Sequence, residues 1–151
     1  MEGNLHVKRG DNPLSRLLAT ILGMPKEGMN CPVRVVSKDN YWSRSFNNGA
    51  SLLRTKWSVS KRHGLVEEKF FGGLFNVGSL LKPIIEDGKH KGFTHNSKAI
   101  WMLGVRIPGV VVDGKTVCHD DGKGWLVDVA VKLPLVGHLI GYKGDVYVVE
   151  K

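Results

Sequence analysis

Polar and apolar residues alternate along most of the chain after Pro25. Trp125, Val127, Val129, Val131 and Leu133 fall on one side of a strand, with Asp128 and Lys132 on the other. Leu53, Thr55, Trp57 and Val59 stand in the same way against Arg54, Lys56 and Ser58. A period of two gives one buried and one wet face, the signature of an antiparallel sheet. Strands are predicted around Val33 and Val35, then over 41–46, 52–60, 65–71, 74–85, 110–118, 124–133 and 140–149, with 89–103 as one long strand or two short ones. Four Asx-Gly dipeptides punctuate these runs: Asn48-Gly49, Asp87-Gly88, Asp113-Gly114 and Asp121-Gly122. Tight hairpins need positive φ at their centre, which Asn, Asp and Gly adopt at least cost, so all four read as hairpin turns.

Before Pro25 the period is that of a helix. Asn12 is a good N-cap, Pro13 suits the first helical position, and Gly23 with Pro25 supplies the stop. Leu14, Leu17, Leu18 and Ile21 are spaced as one apolar face, expected to pack on the core or to cover a sheet as a lid.

About nine strands joined by short turns curl and close, since closure removes the edges of a long meander. The fold class is therefore mainly β: an antiparallel up-and-down barrel, or a partly open one whose gap is covered by the short N-terminal helix. The 151 residues read as a single domain, with 1–25 as a helical segment packing on the sheet and 31–150 as the meander. Glycines at Gly137, Gly141 and Gly144 are expected at bends.

Charge changes this picture little. The net charge is +8, but the cations are scattered and only 54–62 forms a local cluster. Arg54, Lys56, Lys61 and Arg62 surround Trp57, as in a single-strand-binding surface; alternation puts Trp57 on the opposite face, so nucleic acid is an unfavoured partner. The two cysteines, Cys31 and Cys118, belong to no metal or redox motif and fit a reducing, cytoplasmic setting. No apolar run approaches the roughly 20 residues of a membrane-spanning helix. Lys8, Arg9 and Arg16 among the leucines of 5–22 resemble a targeting presequence, against which Asp11 and the helix cap argue.

Trp42-x-Arg44-x-Phe46 carries the strongest chemical expectation. Period two puts all three on one face, so Arg44 points inward if its aromatic neighbours do. A guanidinium inside a sheet must be paired, and Glu68, sharing a face with Val66 and Phe70, is its best-placed partner. The pair is either structural or the anchor for the carboxylate of an apolar ligand, a group that Arg matches well. Trp57 and Trp125 would complete the lining of such a cavity. No cofactor or metal is expected: Cys118-His119-Asp120-Asp121 gathers ligand types, but successive strand residues diverge and a turn explains the acids. No nucleophile motif is present. Glu67, Glu68, Glu86, Asp113 and Asp128 leave open an enzyme that pairs carboxylates in the cavity.

The ordered landmarks also resemble a family. They run from Arg9-Gly10 and Pro13-Leu14 through Leu22-Gly23-Met24-Pro25, Cys31-Pro32-Val33, Trp42-Ser43-Arg44-Ser45-Phe46 and Ser51. They continue with Gly64-Leu65-Val66-Glu67-Glu68-Lys69-Phe70 and end with Pro134-Leu135-Val136-Gly137-His138-Leu139-Ile140-Gly141-Tyr142-Lys143-Gly144. The series resembles the bacterial "domain of unknown function 4166" family over about 5–146. The resemblance implies no established activity. Members that stand alone or are fused to oxidoreductase-like domains imply an accessory role with such a partner. Members also carry a segment before the position of Leu5, so a shortened N-terminus is expected. The leading expectation is a non-catalytic domain that binds a small apolar or amphipathic ligand or assists a partner; the alternatives are the carboxylate enzyme and a pure protein-interaction domain.

Overall fold

A computed structural model describes residues 1–59, 65–70 and 73–149. Its strands are β1 (Glu2–Arg9), β2 (Gly28–Lys38), β3 (Tyr41–Phe46), β4 (Ser51–Val59), β5 (Val66–Phe70), β6 (Phe75–Glu86), β7 (Lys89–Met102), β8 (Val105–Arg106), β9 (Val111–Cys118), β10 (Gly124–Leu133) and β11 (Gly137–Tyr147). One helix, α1 (Pro13–Ile21), lies between β1 and β2. From β1 to β8 each strand pairs antiparallel with the next, as do β9 with β10 and β10 with β11; β7 also pairs with β9, and β1 with β11. The sheet is therefore closed: ten strands form the barrel, and the two-residue β8 hangs on β7. The ends of the predicted runs at Ser60 and Phe71, and the stretch holding Lys61 and Arg62, lie outside the described residues.

Closure depends on a strand that the apolar pattern does not announce. In β1 only Leu5 and Val7 are large and apolar, and both are buried. The strand gains its place from pairing on both sides, with Leu5 opposite Cys31 of β2 and Gly144 of β11. The 89–103 run is a single strand, bulged where its register against β6 shifts.

Three of the four Asx-Gly dipeptides lie between strands. Asp87 and Gly88 have φ of 49° and 72°, the two positive values a two-residue hairpin needs. Asn48-Gly49 joins β3 to β4, and Asp121-Gly122 lies between β9 and β10. Asp113-Gly114 corrects the expectation: it is not a turn but the middle of β9, with Gly114 opposite His95 and Val129. A Cβ on Gly114 would lie 3.4 Å from the His95 side chain, an ordinary contact, so neither a turn nor a lack of space requires glycine there.

The helix begins as expected, with Asn12 Oδ1 accepting from the Leu14 N–H at 2.8 Å, and stops at Gly23, φ 62°. Its buried face is different. Ser15 and Ala19 are buried against the barrel, Leu18 and Leu22 are half-buried, and Leu14, Leu17 and Ile21 are exposed. Small residues decide this: Gly10 approaches so closely that a Cβ there would lie 2.4 Å from Ser15 Oγ, so only Ser and Ala fit between α1 and the strand ends. Arg9 ties down the segment after α1, donating to the Pro25 and Met24 carbonyls and to Thr20 Oγ1.

Candidate functional site

A barrel's width grows with strand number, and ten strands exceed the eight that side chains can fill. The interior is accordingly hollow, with a cavity of about 720 Å³. Buried apolar residues form two clusters on separate walls: one around Val7, Val33, Phe46 and Leu139, the other of Val77, Ile100 and Val112. Trp57, Trp125, Val127 and Val129 line the cavity and are therefore only partly covered, while Arg54, Lys56 and Lys132 are exposed on the outside. The inward and outward faces thus follow the alternation read from the sequence.

The polar feature of this apolar lining is an ion pair. Arg44 Nη2 donates to Glu68 Oε1 at 2.9 Å, and the side chains are 12% and 6% exposed. Strand order brings them together: Arg44 is opposite Leu53 on β4, and Glu68 is opposite Trp57 two positions beyond Thr55. The Arg44 guanidinium also stacks 5.3 Å from the Trp42 ring centroid. Trp42 in turn meets Trp57 at 5.0 Å, and Trp57 meets His95 at 6.4 Å. Among the described residues Arg44 makes no hydrogen bond other than that to Glu68, and Trp57 Nε1 is buried without an acceptor. A guanidinium carries five N–H donors, so most of the capacity of this cavity-lining residue is unused among the described residues.

The electrostatics fix the charge states. Burial works against the Arg44 charge, but Tyr142 and Glu68 outweigh it and hold its pKa above the usual value. Tyr142 can contribute only as a phenolate, and burial pushes its phenol up, so at neutral pH Glu68 is the effective partner. Burial, reinforced by Arg44, lowers the His95 pKa against the opposing pull of Glu68 and Asp113. His95 is thus neutral at neutral pH, a donor or acceptor rather than a second cation.

Of the residues singled out in the sequence, Trp42, Arg44, Trp57 and Glu68 form one constellation. Phe46 lies on the same strand face and lines the hollow from the packed wall, edge-on to Tyr142 with ring centroids 6.0 Å apart. Trp125 lines the cavity from β10 and makes none of these ring contacts. His95 and Tyr142 join the site unannounced. Both carry a period-two signal, His95 beside Phe93 and Tyr142 beside Ile140, that their neighbours' charges and glycines obscure. Glu68 is the one carboxylate on the described lining, so the pair of cavity carboxylates that the sequence left open as an alternative is not assembled there.

A family model described as a domain of unknown function, DUF4166, matches residues 1–146. The chain belongs to the DUF4166 family. No curated protein and no solved structure matches it. The outside of this DUF4166 barrel carries Arg34, Arg54, Lys56, Lys69 and Lys143, and its inside is apolar. That polarity is the reverse of a membrane-spanning barrel, whose apolar band faces outward. No described helix is long and apolar enough to cross a membrane. The ligand-like residues of the β9–β10 turn are separately engaged: His119 with Asp145 at 2.9 Å, Asp120 with Lys91, and Asp121 Oδ1 with the Lys123 N–H.

Proposed function

We propose that this barrel binds a single elongated apolar molecule whose polar head group hydrogen-bonds to Arg44. The observation that carries the reading is a guanidinium, held by one carboxylate and one indole, presenting unused donors to an apolar hollow of about 720 Å³. That volume falls within the roughly 300–1,000 Å³ of small-molecule sites, which are mostly apolar with a few placed polar groups. Glu68 restricts the head group. It already neutralises Arg44, so a ligand carboxylate would bring a second negative charge beside it. A carboxylate is therefore bound with uptake of a proton, by the ligand or His95, whereas an alcohol or ester needs none. Affinity for a carboxylate rises as pH falls, because the complex holds more protons than its parts.

The test is a titration of dodecanol and dodecanoate followed by the fluorescence of the cavity tryptophans. Wild type should show saturable binding of both, with only the dodecanoate affinity rising as pH falls. The double variant Arg44→Met/Glu68→Leu should keep the hollow but bind dodecanol about tenfold more weakly, the loss of one good hydrogen bond. Absence of saturable binding in wild type, or equal affinity in the double variant, would refute the reading.

A further inference from the structure

We infer that the α1 end of the barrel is a docking surface for an anionic lipid bilayer. Strand register places α1, the β3–β4 and β7–β9 connections and the β10–β11 turn at one end. Large apolar side chains exposed at this end include Leu14, Leu17 and Ile21 on the outer face of α1, with Leu103 and Leu135 at the tips of connections. The two tips are unusual in backbone as well as in exposure. Leu103 has φ 50° and is 74% exposed; Leu135 has φ 64° and is fully exposed. At Leu135 the Val136 N–H donates to the Pro134 carbonyl at 2.7 Å, closing a three-residue turn. Positive φ disfavours a bulky side chain, and glycine would fit both tips without strain. Leucine there gives nothing to the interior that the described contacts show; it projects an apolar group outward from each tip.

Charge identifies what this end faces. Its connections and strand ends carry Arg9, Arg16, Lys26, Lys69, Arg106 and Lys132 against Asp11 and Glu27. At the opposite end, Asp39, Glu86, Asp87, Asp120 and Asp121 stand among the lysines of the described turns. Leucines at protruding tips, an amphipathic helix with its apolar face outward and a cationic surround together fit a surface that is apolar inside and anionic at its rim. An acidic protein would complement the charge, but two separate leucine tips need a medium that admits both without shaped pockets. The surface stands independently of whether the hollow takes a ligand.

The experiment is co-sedimentation of the full chain with vesicles of phosphatidylcholine and phosphatidylserine, and with phosphatidylcholine alone. Wild type should bind the mixed vesicles, weaken as salt rises, and bind phosphatidylcholine alone far less. The Leu103→Gly/Leu135→Gly variant should lose affinity for mixed vesicles by about tenfold or more, since it withdraws two apolar anchors. Glycine relaxes both tips, so the variant should melt no lower than wild type and should titrate dodecanol unchanged. Wild type that stays in the supernatant with the mixed vesicles, as expected if the occupant is a protein, would overturn the proposal. So would a glycine variant that binds them as tightly as wild type.

Discussion

Arg44→Met should destabilise the barrel by about 3 kcal/mol, the lower part of the 3–5 kcal/mol range for breaking a buried pair. Glu68 would be left 4% exposed with no cation among its described neighbours. The low end of the range applies because the pair borders a hollow rather than a packed core, which lets the stranded carboxylate be solvated. Methionine fills much of the arginine's length, so lost packing contributes little. Removing the partner as well, in Arg44→Met/Glu68→Leu, should recover most of the loss, because no unpaired charge remains. Urea melts of the two variants decide the matter. A double variant no more stable than Arg44→Met would show that packing rather than the stranded charge sets the loss.

Phe46→Ala should cost about 3–5 kcal/mol, as large-to-small changes in packed interiors do. Phe46 is fully buried, sits opposite Val33, and meets Tyr142 edge-on. It packs with Leu5, Val7, Val33 and Leu139 on the wall of the hollow, so truncation removes those contacts and widens the hollow. Leu52→Ala, on the outward face of β4, should fall within about 0.5 kcal/mol. Equal losses in urea melts would mean that the two residues do not occupy opposite faces as described.

Both variants depend on a face assignment that period two already supplies. Arg44 lies between Trp42 and Phe46, and Glu68 between Val66 and Phe70; in consecutive hairpins β3 and β5 flank the same strand. Period two and strand order are enough to bring the pair together. Other features were less legible because they depend on partners distant in sequence. Strand β1 has only two large apolar residues in eight and becomes a strand by closing the sheet against β11. The outer face of α1 looks like its inner face by spacing alone; the contact of Gly10 with Ser15 decides which side is covered. Asp113-Gly114 has the composition of a turn, but its strand neighbours pair on both sides. Whether the interior is filled or hollow follows from strand number and closure, which no local pattern encodes.

The proposed ligand is an elongated apolar molecule inside the barrel with its head beside Arg44. Isotope-filtered nuclear Overhauser spectroscopy of the wild-type protein with labelled dodecanol locates that molecule directly. Contacts are expected from its methylene chain to the rings of Trp42, Trp57 and Phe93, all on the cavity wall. Contacts confined to Leu14, Leu17 and Ile21 on the outer face of α1, or none at all under saturating dodecanol, would contradict that placement.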